Sequence, residues 1–126
     1  MKKTICIILI TLVCAAALSA VFFGSALIYS EYFHAETVDF QSSPDGKYTL
    51  ELQQIGSPAW PFGPVTAQVV LKQGKKTVEK QRTEVYNDGG QLYPSNWNVE
   101  WRDDSVVITI DLGEIDKNET IIFPLN

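Results

Sequence analysis

The chain contains few of the side chains on which most metal and active sites depend. It has one histidine and two cysteines in 126 residues, and Cys6 and Cys14 both lie in an apolar stretch near the N-terminus. A structural zinc site is usually built from four cysteine and histidine ligands, so this composition excludes one. The rest of the chain has no cysteine, and we therefore expect it to fold by core packing alone, without a disulfide bond.

The single histidine, His34, gives no basis for predicting an enzyme. A hydrolytic site needs a nucleophile, a base and an orienting group, and no serine in a recognisable setting lies near His34 in the sequence. The chain also has no phosphate-binding loop and no dinucleotide fingerprint. The sequence therefore predicts no catalytic residue, no cofactor and no enzymatic activity.

The most informative feature that the chain does have is an uncharged, mostly apolar run from Ile5 to Tyr29. A helix crosses a bilayer core with about 20 apolar residues, so residues 1–29 are predicted to be a transmembrane anchor. Lys2 and Lys3 precede the run, and the positive-inside rule then places the N-terminus in the cytoplasm. The predicted localisation is a cell membrane, crossed once, with the C-terminal domain outside.

A cleaved signal peptide is the alternative for the same residues. Its small-x-small cleavage motif could be provided by Ala15 and Ala17 or by Gly24 and Ala26. Cleavage would release a secreted binding protein. The apolar run is longer than the usual signal-peptide core, which favours an anchor that stays attached.

Residues 30–36 are interpreted as a linker, and residues 37–126 as one extracytoplasmic β domain. Apolar and polar residues alternate with the period of a strand in several segments, as at Tyr48, Leu50 and Leu52. Polar turn sequences separate these segments, and no helical period is visible. We expect an all-β fold of about seven strands, a β-sandwich or a small barrel, with strands near residues 37–41, 47–54, 65–72, 77–86, 97–102, 106–112 and 120–125. The polar middle of residues 77–86 predicts an edge strand.

Turn chemistry marks the connections between these strands. Ser43-Pro44-Asp45-Gly46 has the residue types of a tight turn, and Gln73-Gly74 and Asp103-Asp104 are predicted hairpin tips. In the loop Asn87-Asp88-Gly89-Gly90 we expect the two glycines to take left-handed conformations.

The most distinctive connection has proline at every third position, Pro58, Pro61 and Pro64. This is the period of the extended polyproline II helix, and Trp60 and Phe62 lie on it. The two aromatics could fold back as a lid over the core, which is favoured because large aromatics are mostly buried. Alternatively Trp60, Pro61 and Phe62 form an exposed binding loop, since a stiff segment loses little entropy on binding. Their spacing predicts that Trp60 is packed and Phe62 more exposed.

Calcium is the one metal that the loops suggest. Calcium binds six to eight oxygen atoms, many of them carboxylates from loops, and the weak candidates are Asp103, Asp104, Asp111 and Asp116. They do not match the helix–loop–helix calcium pattern, and acidic turn residues are mostly solvated surface. The sequence therefore predicts no metal site, with calcium as the alternative.

Residues 37–126 hold thirteen of the fifteen acidic residues and eight of the ten basic residues. This acidic excess argues against nucleic acid and against anionic lipid as partners. The expected partners are the membrane, through residues 5–29, and a protein or another component of the cell envelope.

Short motifs give the chain a resemblance to a group of proteins. The sequence resembles small uncharacterised proteins of Gram-positive bacteria in the motifs SPDGKY at residues 43–48, WPFG at 60–63, and NW, VEW and DD between residues 96 and 104. The resemblance implies one N-terminal membrane helix and one outer β domain, and it carries no assigned activity. We expect a membrane-anchored binding or assembly-support module, with a calcium-dependent or enzyme-accessory module and a secreted binding protein as alternatives.

Overall fold

One helix precedes seven strands in the computed structural model, which describes residues 1–126 apart from the side chain of Glu31. Each of the seven strands overlaps one of the predicted segments, so the predicted strand count is confirmed. The elements are α1 Lys2–Tyr32, β1 Ala35–Ser42, β2 Tyr48–Ile55, β3 Val65–Gln73, β4 Lys76–Val85, β5 Trp97–Trp101, β6 Ser105–Asp111 and β7 Asn118–Pro124.

Helix α1 is long, apolar and unpacked. The segment Lys2–Ser30 has a mean hydropathy of 2.8, and none of its apolar window is buried against the rest of the chain. It is therefore not the core helix of a globular domain, and by length and composition it can cross a membrane. Because α1 contains 31 of the 126 residues, the chain as a whole is mostly β and not all-β, which corrects the fold class predicted above.

The connection between helix and strand is shorter than the predicted linker of residues 30–36. Helix α1 continues to Tyr32 and β1 begins at Ala35, so only Phe33 and His34 join them. The amides of Phe33 and His34 both donate to the carbonyl oxygen of Tyr29, at 2.8 and 2.9 Å, and close the last turn of the helix. The helix continues from Tyr29 to Tyr32 because the backbone amides of these residues donate to carbonyl oxygens one turn earlier.

The strands form two antiparallel sheets. Strands β1, β2, β3 and β4 lie in that order in one sheet, and β5, β6 and β7 lie in order in the other. The two sheets contribute to one hydrophobic core. The arrangement is thus sandwich-like, two separate sheets with a shared core, and not a closed barrel. Strand β4 is an edge strand, as its polar sequence predicts.

The inward positions are those that the alternation indicates. Leu50 and Leu52 of one sheet and Val106, Ile108 and Ile110 of the other are fully buried. Trp97 is also buried, while Val99 and Trp101 are partly buried against the same core, as predicted. The two valines that break the alternation, Val70 and Val107, lie opposite Glu51 and Glu100, respectively, on the outer faces.

Side-chain hydrogen bonds join the edges of the two sheets. On one side, the Trp97 indole donates to Asp39 Oδ2 of β1 at 2.9 Å. On the other side, Thr83 and Gln81 of β4 both donate to the carboxylate of Glu119 in β7. These bonds satisfy polar groups at the margins of the core, where an unpaired donor would be costly.

The turn between β1 and β2 forms as its sequence predicts. The Gly46 amide donates to the Ser43 carbonyl oxygen at 3.0 Å, and Gly46 has a φ of 75°. Asp45 Oδ1 accepts hydrogen bonds from the Ser43 hydroxyl at 2.6 Å and the Lys47 amide at 3.0 Å. These bonds, the one from Ser43 first, hold the pKa of Asp45 below its ordinary value, because they stabilise the ionised carboxylate.

The loop after β4 differs in one detail from the expectation. Asp88 and Gly89 have positive φ values of 53° and 77°, whereas Gly90 does not. The Gly90 amide donates to the Asn87 carbonyl oxygen at 2.8 Å. A turn with two left-handed central residues needs them at its second and third positions, and aspartate tolerates that conformation.

Candidate functional site

The longest connections of the β domain lie together at the end where β1 begins, called here the proximal end. They are the loops of residues 56–64, 86–96 and 112–117. The antiparallel pairing brings them together, because β2 ends opposite the start of β1 and β4 ends opposite the start of β3. The Tyr86 amide donates to the Leu112 carbonyl oxygen at 2.8 Å, which links the proximal loops of the two sheets.

The proline-containing loop of residues 56–64 is a closed turn and not an extended helix. The Ala59 amide donates to the Pro64 carbonyl oxygen at 3.0 Å, and the Gly63 amide donates to the Ala59 carbonyl oxygen at 2.7 Å. The Trp60–Pro61 peptide bond is cis. Polyproline II has no internal hydrogen bonds, so the prediction made from proline spacing is wrong.

Trp60 and Phe62 are both exposed. The side chain of Trp60 is 92% accessible to solvent and that of Phe62 is 77% accessible. The lid interpretation is therefore wrong, and so is the expectation that Trp60 packs while Phe62 does not. The core beneath is already filled by strand residues such as Leu52 and Val65, which are completely buried.

The backbone of this loop lies against the loop of residues 86–96. A Cβ atom added to Gly89 would come within 3.0 Å of the Pro61 carbonyl oxygen and 3.1 Å of the Phe62 Cα atom. Only glycine fits so close an approach, and the positive φ of Gly89 favours glycine as well. The contact supports the backbone of the loop and leaves its aromatic rings in solvent.

Three further exposed apolar residues lie in the proximal loops. Ile115 is 92% accessible, Tyr93 is 56% and Tyr86 is 42%. None of the three was predicted from the sequence as a site residue. Ile115 could have been noticed as a lone aliphatic residue between Glu114 and Asp116 in a turn, where nothing apolar is expected.

Buried amides hold the proximal loops in place. The Gln54 side chain accepts a hydrogen bond from the Leu92 amide at 2.9 Å and donates to the Gly56 carbonyl oxygen at 3.0 Å. The Asn96 side chain accepts from the Tyr93 amide and from the Asn87 side chain, at 2.9 and 3.0 Å. Gln54 and Asn96 are both buried, so these bonds replace solvation that the loops have lost. The exposed aromatics thus lie on a pre-organised support.

A small cleft lies at the opposite, distal end of the domain. Its volume is about 260 Å³, and its lining includes Tyr48, Trp101, Arg102 and Asp103. Binding sites for small molecules usually enclose roughly 300–1,000 Å³, so this cleft is at the lower limit. Its basic residue, Arg102, is already paired with Glu100 at 3.0 Å. The Ser43 hydroxyl and the Asp45 carboxylate in the lining bond to each other at 2.6 Å, and the Ser43 hydroxyl also accepts from the Tyr48 amide at 3.0 Å, so both groups hold the turn.

The structure does not bring the four calcium candidates together. Asp103 and Asp104 lie in the turn between β5 and β6, and Asp111 and Asp116 lie at the other end of β6. A strand rises about 3.3 Å per residue, so the seven residues of β6 separate the two pairs by roughly 20 Å. Within the described part of the chain, no group of three histidine, cysteine, aspartate or glutamate side chains could hold a metal ion.

The proximal loops therefore carry the candidate site, with Trp60, Pro61 and Phe62 on one loop and Ile115 on another. It offers exposed apolar side chains for contact. Comparison of the chain with protein-family models, with curated proteins and with solved structures found no match.

Proposed function

We propose that the chain is a single-pass membrane protein whose β domain lies outside the cell membrane and acts as a binding or assembly-support module. The length of helix α1 supports its role as the membrane anchor. At 1.5 Å per residue, the 29 residues of Lys2–Ser30 extend about 43 Å, which matches a bilayer with its headgroup regions, about 40–45 Å.

The charges that flank α1 support the orientation. Lys2 and Lys3 precede the apolar run, and no lysine or arginine follows it until Lys47. The positive-inside rule counts these residues and keeps the lysine-bearing end in the cytoplasm. The β domain is then on the outer side, which agrees with the resemblance to anchored Gram-positive proteins stated above.

The exposure of Trp60 and Phe62 is the observation that carries the binding role. Tryptophan is among the residues most enriched at the centres of protein interfaces, and exposing two large aromatics on one short loop leaves apolar area unburied. The loop is closed by its own hydrogen bonds, so contact would require little further ordering.

Site-specific photo-crosslinking tests this role. A benzoyl-phenylalanine replaces Phe62 in one full-length protein and Phe40 in a control. Phe40 is a matched position because it is also exposed, at 65%, but lies on β1 away from the proximal loops. We expect position 62 to form an adduct in cells, with lipid or with a polypeptide, and position 40 to form none, as the mass of the purified protein would show. Equal labelling of the two positions, or no adduct at either, would refute the binding role.

A further inference from the structure

We propose that the partner of the aromatic proximal loops is the bilayer itself, with Trp60, Phe62 and Ile115 inserted into the outer headgroup region of the membrane that α1 crosses. This inference rests on the proposed anchoring of α1. It assigns the contact surface to lipid and not to a second protein.

The proximal end of the β domain lies close to the end of helix α1. Only Phe33 and His34 separate the helix from β1, and a trans chain extends at most about 3.6 Å per residue, so the domain starts within roughly 10 Å of the helix end. The Gly56 amide donates to the His34 carbonyl oxygen at 2.7 Å. The loop that carries Trp60 therefore begins one hydrogen bond away from His34, the second residue after the helix.

The end of helix α1 next to the β domain carries exposed aromatic rings. Tyr29, Tyr32 and Phe33 are exposed there, and the rings of Tyr29 and Phe33 stack with their centroids 6.4 Å apart. Aromatic rings at the end of a spanning helix mark the headgroup level, where tryptophan and tyrosine are favoured. Trp60 and Phe62 continue this aromatic belt from the domain side.

The proximal loops have few basic side chains. The three proximal loops contain one basic residue, Lys117, and it pairs with Glu114. Lys75, Lys76 and Arg102 lie at the distal end instead. The proximal end therefore cannot attach through attraction to anionic lipid. Apolar insertion is the interaction that its side chains allow, and it does not need an anionic headgroup.

Fluorescence quenching tests this contact in the full-length protein. Helix α1 has no tryptophan, so all emission comes from Trp60, Trp97 and Trp101. Trp97 is buried in the core, and Trp101 lines the distal cleft. The protein is reconstituted in phosphatidylcholine vesicles, with and without phosphatidylcholine brominated high on its acyl chains. A Trp60→Phe variant is the matched control.

We expect brominated lipid to remove about one third of the parent emission, the share of one of the three indoles if they emit equally, and to leave the Trp60→Phe variant unquenched. The effect should persist at high salt, because the interaction is apolar. Equal quenching of parent and variant, or no quenching of either, would overturn the proposal.

A second probe reports on the neighbouring loop. Cys6 and Cys14 are first replaced by alanine, and a polarity-sensitive dye is attached to Ile115→Cys or, as a distal control, to Lys75→Cys. A blue shift in vesicles is expected at position 115 alone. Emission at 115 that matches the aqueous control would overturn the insertion of that loop.

Flotation of the vesicles separates the two proposals. A protein that does not float with the vesicles overturns both the anchor and the docking. A protein that floats while Trp60 stays unquenched overturns the docking alone. If position 62 then crosslinks to a polypeptide, the loop belongs to a protein partner.

Discussion

Substituting two tryptophans by alanine separates the core of this domain from its contact surface. Trp97 is 7% exposed, whereas Trp60 is 92% exposed. A buried tryptophan removes roughly 150–250 Å² from water, which at about 25 cal/mol per Å² corresponds to roughly 4–6 kcal/mol. Measured tryptophan-to-alanine costs in cores are about 3–5 kcal/mol. We expect about 4 kcal/mol for Trp97→Ala, including the loss of its hydrogen bond to Asp39.

Trp60→Ala should change the free energy of unfolding by no more than about 0.5 kcal/mol, because its side chain contacts little in the folded state. Both values can be measured by urea titration of residues 35–126. Among the side chains that the structure describes, those buried in the core lie between Tyr48 and Phe123, and α1 contributes none. Circular dichroism should follow the transition, because both substitutions alter tryptophan emission.

With a slope of about 2 kcal/mol per molar urea, Trp97→Ala should lower the midpoint by roughly 2 M, and Trp60→Ala should leave it almost unchanged. A Trp60→Ala cost of several kcal/mol would show that Trp60 closes the core after all. That result would refute the use of this loop as a contact surface.

Two further predictions concern turns. Gly113→Ala should abolish folding, since the new Cβ would lie 2.0 Å from the Tyr86 carbonyl oxygen. Gly74 has a similar positive φ but open space around it, so Gly74→Ala should lower the free energy of unfolding by only about 1–2 kcal/mol. Thermal melts of both variants would show the difference. The pKa of Asp45 is lowered, mainly by the Ser43 hydroxyl, so its contribution to stability is complete above the unfolded pKa of about 4 and disappears as pH falls through the lower folded value. Asp45→Asn should therefore be less stable than the parent at neutral pH, and the difference should shrink in melts below pH 4; a constant difference would contradict the assigned shift.

Strands such as β2 and β6 could be predicted because each has one face in the core. Leu50 and Leu52 point inward and Thr49 and Glu51 outward, and this alternation is visible in the sequence without any knowledge of pairing. The turn at Ser43–Gly46 was equally predictable, because its hydrogen bonds are local. In both cases the pattern that predicts the structure lies within a few residues of the sequence.

The shape of the proximal loops could not be predicted, because proline spacing does not reveal the hydrogen bonds that close the loop of residues 56–64 and because that loop also lies against a loop distant in sequence. Proline spacing suggested an extended segment, yet Ala59 pairs with Pro64, and Phe62 lies against Gly89 of another loop. The exposure of Trp60 also depends on whether the strands already fill the core, which composition does not reveal. The four calcium candidates are close in sequence, but strand β6 separates Asp103 and Asp104 from Asp111 and Asp116.

The location of the β domain relative to the membrane is the claim on which both proposals depend. It can be measured in intact cells that express the full chain with Lys75→Cys as the single cysteine, using a membrane-impermeant maleimide and the mass of the membrane-bound product. The account predicts labelling without permeabilisation and a product that retains residues 1–29. Labelling only after permeabilisation, or a soluble product that lacks the apolar run, would contradict it.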